Sequence, residues 1–189
     1  MCAEARPARA NPRNHQSRHC RFIRFPAGET ALYRKTTNFA RAPQMDGKIV
    51  IPCPHCDTLN RVPVSRLGDG GKCGSCGQRL FTGHPITLDA RRFQRHAGAE
   101  LPLLVDFWAA WCGPCRAMAP VFEAAAHELE PRLRFGKVDT EAESSLAARH
   151  AIQAIPTLIL FRDGRELARL SGALSGGELR RWIAATLGD

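Results

Sequence analysis

No stretch of this 189-residue chain approaches the roughly 18 consecutive apolar residues that a membrane span needs, so a soluble protein is expected. The scattered half-cystines of a secreted disulfide framework are missing too. Six of the eight cysteines fall in three C-x-x-C pairs, and the other two, Cys2 and Cys20, stand alone near the N-terminus. Paired cysteines without a secretory apolar segment fit a reducing compartment, where such thiols bind metal or move electrons. A cytoplasmic location is the expectation.

Excess charge is absent from most of the chain. The net charge of +9 suggests a nucleic-acid or membrane partner, but residues 1–44 hold nine Arg and Lys against two acids, leaving only +2 on the rest. The basic character therefore belongs to the N-terminal segment and says little about the folded part. That segment lacks helical or strand periodicity and is expected to be a disordered tail. It reads as an organelle transit peptide, as a nucleic-acid-binding arm, or as sequence upstream of a true start at Met45. The third reading is favoured, because "MDGKIVIPCPHC" begins cleanly at Met45 and runs straight into a cysteine pair.

Residues 45–83 are short of large apolar side chains and have Phe81 as their sole aromatic. A unit so small and glycine-rich cannot build a sufficient core unaided and needs a metal or disulfides. Cys53 and Cys56, then sixteen residues, then Cys73 and Cys76, match the spacing of a zinc ribbon. Each pair makes a knuckle offering two thiolates, and two knuckles close a tetrahedral shell around one structural Zn2+. Iron would also suit four sulfurs, and two disulfides or four free thiols are the bland alternatives. His55 and His84 read as surface side chains, since four cysteines already complete the shell. Five bases and one aromatic make nucleic-acid binding by this unit weak.

Residues 84–189 alternate strand and helix patterns in the order β-α-β-α-β-α-β-β-α, an α/β domain with a mixed sheet flanked by helices. "LPLLVDFWA" is an apolar run suited to a strand buried on both faces. Met118, Val121, Phe122, Ala125 and Leu129 recur at helical spacing after it, with Pro120 inside as an expected kink. Asp163-Gly164 marks a hairpin turn, Asp89 a helix N-cap, and Ser175 with Glu178 a capping box before the stripe Leu179, Trp182, Ile183 and Leu187. Gly188 stands where a C-cap would.

The third pair, Cys112 and Cys115, sits between that apolar strand and that helix. A sulfur at a helix N-terminus meets unpaired N–H groups and the positive end of the dipole, which favour thiolate. Cys115, one turn on, is placed to face Cys112 and resolve a mixed disulfide. No second pair accompanies them to complete a metal shell. Asp106 is surrounded by apolar neighbours, so it is expected to be buried with a raised pKa.

"FWAAWCGPCRAMAP" resembles the active site of the thioredoxin family, including Trp108, Trp111, Gly113, Pro114 and Pro120. The likeness extends over residues 84–189. It implies the thioredoxin fold, a role for Asp106 in proton transfer to the resolving Cys115, and Lys137 near that carboxylate. It implies a cis bond before Pro156 in "AIPT", with Pro156 facing the dithiol and Ile155 offering backbone hydrogen bonds to substrate. Gly172 in "SGALS" would line the substrate groove. A four-cysteine unit ahead of such a domain resembles the thioredoxin 2 subfamily, extending the likeness to residues 45–189. Cys53-Pro54-His55-Cys56 resembles the active-site motif of strongly oxidising disulfide-forming enzymes. No helical pattern follows it, and its partner pair lies at zinc spacing, so the spacing outranks the dipeptide.

The expectation is a monomeric protein-disulfide reductase that attacks client disulfides through Cys112, holds them against Trp111, and is recycled by an NADPH-dependent thioredoxin reductase. Flavin and nicotinamide belong to that partner and not to this chain. The competing readings are an oxidant or isomerase of the same fold, and a redox-sensing zinc-ribbon binding or chaperone module. Roles in redox homeostasis and oxidative stress follow from the resemblance alone.

Overall fold

The computed structural model describes residues 47–188. The basic segment 1–44, and with it the reading of Met45 as the true start, lies outside the described residues.

The cysteine-rich unit begins with an antiparallel hairpin of β1 (Lys48–Pro52) and β2 (Leu59–Pro63), with Lys48 opposite Pro63. A 3-10 helix, Val64–Asp69, follows it. Two loops of one design carry the cysteines. In the first, Cys53 N–H donates to Thr58 O at 2.9 Å and Asp57 N–H to Cys53 O at 3.0 Å. In the second, Cys73 N–H donates to Gln78 O at 2.8 Å and Gly77 N–H to Cys73 O at 2.9 Å. The residue after each second cysteine, Asp57 or Gly77, has positive φ, 58° and 71°. The local core is Cys53, Cys73 and Leu80, with Val62 and Phe81 against it. Two of its three buried members are cysteines, so apolar burial alone is a weak source of stability here.

The larger unit forms one five-stranded sheet in the order β3-β5-β4-β6-β7. Its elements run β3 (Ile86–Thr87), α1 (Ala90–Ala97), β4 (Leu103–Trp108), α2 (Gly113–Leu129), β5 (Arg134–Asp139), α3 (Ser144–Arg149), β6 (Thr157–Arg162), β7 (Arg165–Ser171) and α4 (Gly176–Leu187). The element order expected from the sequence is the one observed. β4 is parallel to β5 and antiparallel to β6, so the parallel βαβ start and the hairpin finish meet at β4. Asp163 and Gly164 supply positive φ at that hairpin, 52° and 74°. Asp89 caps α1 through Arg92 N–H, and Ser175 with Glu178 form the capping box of α4.

Alternation along β4 splits the core. Leu103, Val105 and Phe107 face a cluster with Phe93 of α1 and Leu146 of α3. Leu104 faces the other, with Met118 and Phe122 of α2 and Leu179 and Ile183 of α4. β4 is buried on both sides, which is why it reads as a nearly continuous apolar run. The same alternation puts Asp106 on the face that α2 covers. Among the described residues, no helix is long and apolar enough to cross a membrane.

Candidate functional site

Cys112 follows β4 and is the N-cap of α2, with Pro114 in the first turn. Its sulfur accepts from Cys115 N–H at 3.2 Å, so one otherwise unpaired backbone donor of the helix points at it. Cys112 and Cys115 are joined by a disulfide with their Cα atoms 5.3 Å apart. Both sulfur-bearing side chains are buried, while Trp111, Gly113 and Pro114 around them are exposed. Trp111 is 66% exposed, a large apolar side chain left to solvent beside the dithiol. Trp108, one strand residue from the core, is half-buried instead. The two tryptophans that look alike in the sequence therefore differ: one contributes to packing and the other presents a surface.

Opposite the disulfide lies the loop before β6. Its Ile155–Pro156 bond is cis. The Ile155 carbonyl oxygen is 3.7 Å from Cys112 Sγ. Gly172 N–H donates to Pro156 O at 2.8 Å, and Gly172 has φ of 107°, a region that L side chains avoid. Thr157 Oγ1 donates to Ala154 O at 2.7 Å and contacts Ser171 Oγ at 2.8 Å, fixing the loop to β7. The C-terminal ends of β4 and β7 and the start of β6 thus bring Trp111, Cys112, Ile155, Pro156 and Gly172 to one end of the strands.

On the face of β4 that α2 covers, Asp106 is fully buried and neither carboxylate oxygen has a hydrogen-bond partner among the described residues. Burial pushes its pKa up to about 6, with the Lys137 charge pulling the other way. Lys137 pairs with Asp106 in the β4–β5 register, and its Nζ lies 4.3 Å from the centre of the Trp108 ring. Its ammonium is therefore held by the indole face near the carboxylate rather than bonded to it.

The other two cysteine pairs converge. The four sulfurs of Cys53, Cys56, Cys73 and Cys76 lie within 4.8 Å of one another. The Cys53–Cys76 and Cys56–Cys73 separations are 3.6 and 3.7 Å, and none of the four is in a disulfide. A tetrahedral zinc with Zn–S bonds of ~2.3 Å needs sulfurs about 3.8 Å apart, so this donor set fits the ion. Backbone N–H groups of His55 and Ser75 point at Cys53 and Cys73 sulfur, each at 3.4 Å, as thiolate acceptors require. Burial pushes the Cys53 thiol up to about 12, while N–H donors from Cys76 and Ser75 pull Cys73 down to about 6. A bound cation would favour the thiolate form at all four. His55 and His84 are both exposed, and His84 pairs with Glu123 on the surface.

Sequence reasoning missed four titratable side chains that the fold shields from solvent: Asp57, Arg92, His96 and Arg134. Asp57 binds Arg92 and His96 of α1, and Arg134 is 2% exposed. Burial pushes His96 down to about 4, so its neutral ring donates Nε2–H to the Asp57 carboxylate. Burial works against the Asp57 carboxylate, but the bonds from Arg92 and His96 outweigh it and hold its pKa below the usual range. The only available signal was weak: a non-glycine directly after a C-x-x-C, where the second pair has glycine.

Comparison with known proteins agrees with this geometry. Residues 84–185 match the family profile described as thioredoxin, and residues 52–78 the profile described as thioredoxin 2, N-terminal. A 136-residue stretch is 42% identical to thioredoxin C-3 of Corynebacterium nephridii, covering 71% of this chain and 93% of that protein. Thioredoxin of Porphyra purpurea is 42% identical over 86 residues, covering 46% of this chain and 80% of the relative. Among solved structures, a thioredoxin of Malassezia sympodialis is 30% identical with a TM-score of 0.50, covering 53% of this chain and 89% of that one.

Proposed function

The chain belongs to the thioredoxin family and is a thiol-disulfide oxidoreductase, and from this we propose that it works as a protein-disulfide reductase through Cys112 and Cys115. The observation that carries the reading is the cap geometry. Cys112 accepts the Cys115 N–H at the start of α2, where a thiolate is favoured, and shares a disulfide with Cys115.

In the reduced protein, Cys112 thiolate attacks one sulfur of a client disulfide. A Cys112–client mixed disulfide forms and one client thiolate leaves. Cys115, as thiolate, then attacks Cys112 sulfur and expels the second client thiolate. The product is the Cys112–Cys115 disulfide, and two electrons have passed to the client. The client segment would lie against the exposed Trp111, Gly113 and Pro114, with Ile155 offering its backbone beside Pro156 and Gly172. Asp106, with Lys137 beside it, would take the proton from Cys115; its pKa of about 6 suits proton exchange near neutrality. An NADPH-dependent thioredoxin reductase would return the pair to the dithiol, in a cytoplasmic setting. Cys53, Cys56, Cys73 and Cys76 would hold one structural zinc that supplies the folding free energy the small unit lacks.

The test is Cys112→Ser in an NADPH-coupled insulin-reduction assay, with folding checked by near-UV circular dichroism. Turnover is expected to vanish while the fold persists. Turnover retained at a tenth of the parent rate or more would refute the assignment.

A further inference from the structure

The two cysteine knuckles share one backbone design but are held by different partners. The first is gripped by α1 of the redox domain. Arg92 donates from Nη2 to Pro54 O at 2.6 Å and from Nε to Asp57 Oδ1 at 3.0 Å. The same oxygen meets His96 Nε2 at 3.2 Å, and Arg95 Nη1 donates to Asp57 O at 3.3 Å. Arg92 is itself fixed, because its Nη1 donates to Thr87 O at 2.6 Å and its N–H to the Asp89 cap. The three side chains are shielded, with Arg92, Asp57 and His96 exposed by 23%, 14% and 2%.

Residues 73–77 of the second knuckle receive no such contact directly; the redox domain reaches only the segment after it, where Arg134 Nη2 donates to Leu80 O. Gly74 N–H donates to Asn60 Oδ1 at 2.9 Å, and Asn60 Nδ2 reaches Thr58 O and Cys73 sulfur. Among the described residues, every hydrogen bond of residues 73–77 stays within the ribbon. The residue that turns each knuckle tells the same story. Gly77 takes positive φ at no steric cost, whereas Asp57 adopts it against the preference of an L side chain. Its carboxylate then forms the ion pair with the redox domain, which offsets that cost.

We infer that Arg92 and His96 of the redox domain are positioning residues of the four-cysteine metal centre: they hold the Cys53–Cys56 knuckle in place for metal binding. This rests on the reading of the four cysteines as a metal site. Half of the ligand set is then organised before metal arrives, which lowers the ordering entropy that binding must overcome. Partners outside the ligand shell commonly change metal affinity by 10- to 100-fold.

The experiment titrates the metal-free, reduced full chain with Co2+, following the thiolate-to-cobalt absorption band, and competes the bound ion with a chelator. Arg92→Ala and Asp57→Asn are each expected to lower cobalt affinity by about 10- to 100-fold, and the double variant by no more than the larger single loss. His96→Gln should lose less, and Arg91→Ala, on the exposed side of α1, should match the parent. Arg92→Lys keeps the charge but cannot span Asp57, Pro54 and Thr87 together, so it should follow Arg92→Ala even if the alanine variant folds poorly. Insulin reduction by each variant reports separately that the redox domain is intact. Parental cobalt affinity in Arg92→Lys, or losses that add in the double variant, would overturn the inference. A parent chain that takes up no cobalt would overturn the metal reading, and the inference with it.

Discussion

Arg134 at the start of β5 and Glu130 at the C-cap of α2 form a 2.9 Å ion pair with both side chains 2% exposed. The pair moors the segment that leaves the second knuckle. Arg134 Nη2 donates to Leu80 O at 2.6 Å, and the Phe81 ring lies 4.9 Å from its guanidinium. Glu130 Oε2 accepts from Thr82 and Gly83 N–H at 3.0 and 2.8 Å.

Glu130→Ala strands a buried guanidinium and two backbone donors at once. Breaking one side of a buried pair costs about 3–5 kcal/mol, and urea denaturation should show a loss of that order. A loss below about 1 kcal/mol would mean that solvent reaches the pair and screens it.

Asp106 carries a pH signature of unusual sign. Its folded pKa, about 6, lies above the reference value of 3.8, so the folded state holds the proton more tightly than the unfolded one. The resulting penalty is absent below about pH 4 and fully present above about pH 6. Asp106→Asn should therefore stabilise the oxidised protein by up to about 3 kcal/mol at pH 8, at 1.36 kcal/mol per pKa unit. The gain should shrink towards pH 4. Urea midpoints that shift equally at the two pH values would rule out burial of the charge as the cause.

Trp111 is exposed, so Trp111→Ala should leave stability within about 0.5 kcal/mol of the parent. If the indole is covered when a client binds, its loss removes roughly 1–2 kcal/mol of apolar burial. The insulin assay should then show kcat/KM falling about tenfold, carried mostly by KM. Unchanged kcat/KM would remove Trp111 from the client surface.

Gly136 lies under Leu88, and a Cβ there would overlap the Leu88 side chain. Gly136→Ala should cost about 1–3 kcal/mol by overpacking. Adding Leu88→Ala should cost less in that background than in the parent. Strict additivity in thermal melts would place the strain elsewhere.

Much of the fold was legible because its signals are local. Asp89, Ser175 with Glu178, Asp163-Gly164 and Gly188 act within a few residues of themselves, and each is found in its expected role. β4 was readable from its apolar run. The β1–β2 hairpin and the 3-10 helix of the ribbon went unread, because segments of five or six residues are too short to show a clear period. Residue type alone did not separate Trp108 from Trp111; the family resemblance placed Trp111 on the client surface, and the fold leaves that indole exposed while half-burying Trp108.

The sequence alone determined which groups are available for chemistry: three cysteine pairs, one on a strand-to-helix junction and two at metal spacing. Only the tertiary structure decided which distant charges meet. Asp57 finds Arg92 and His96, and Glu130 finds Arg134 and the 82–83 backbone, through contacts set by packing rather than by neighbours in the chain. A buried ion pair depends on burial and geometry at both ends. Those are properties of the folded surface, and no single stretch of sequence carries them.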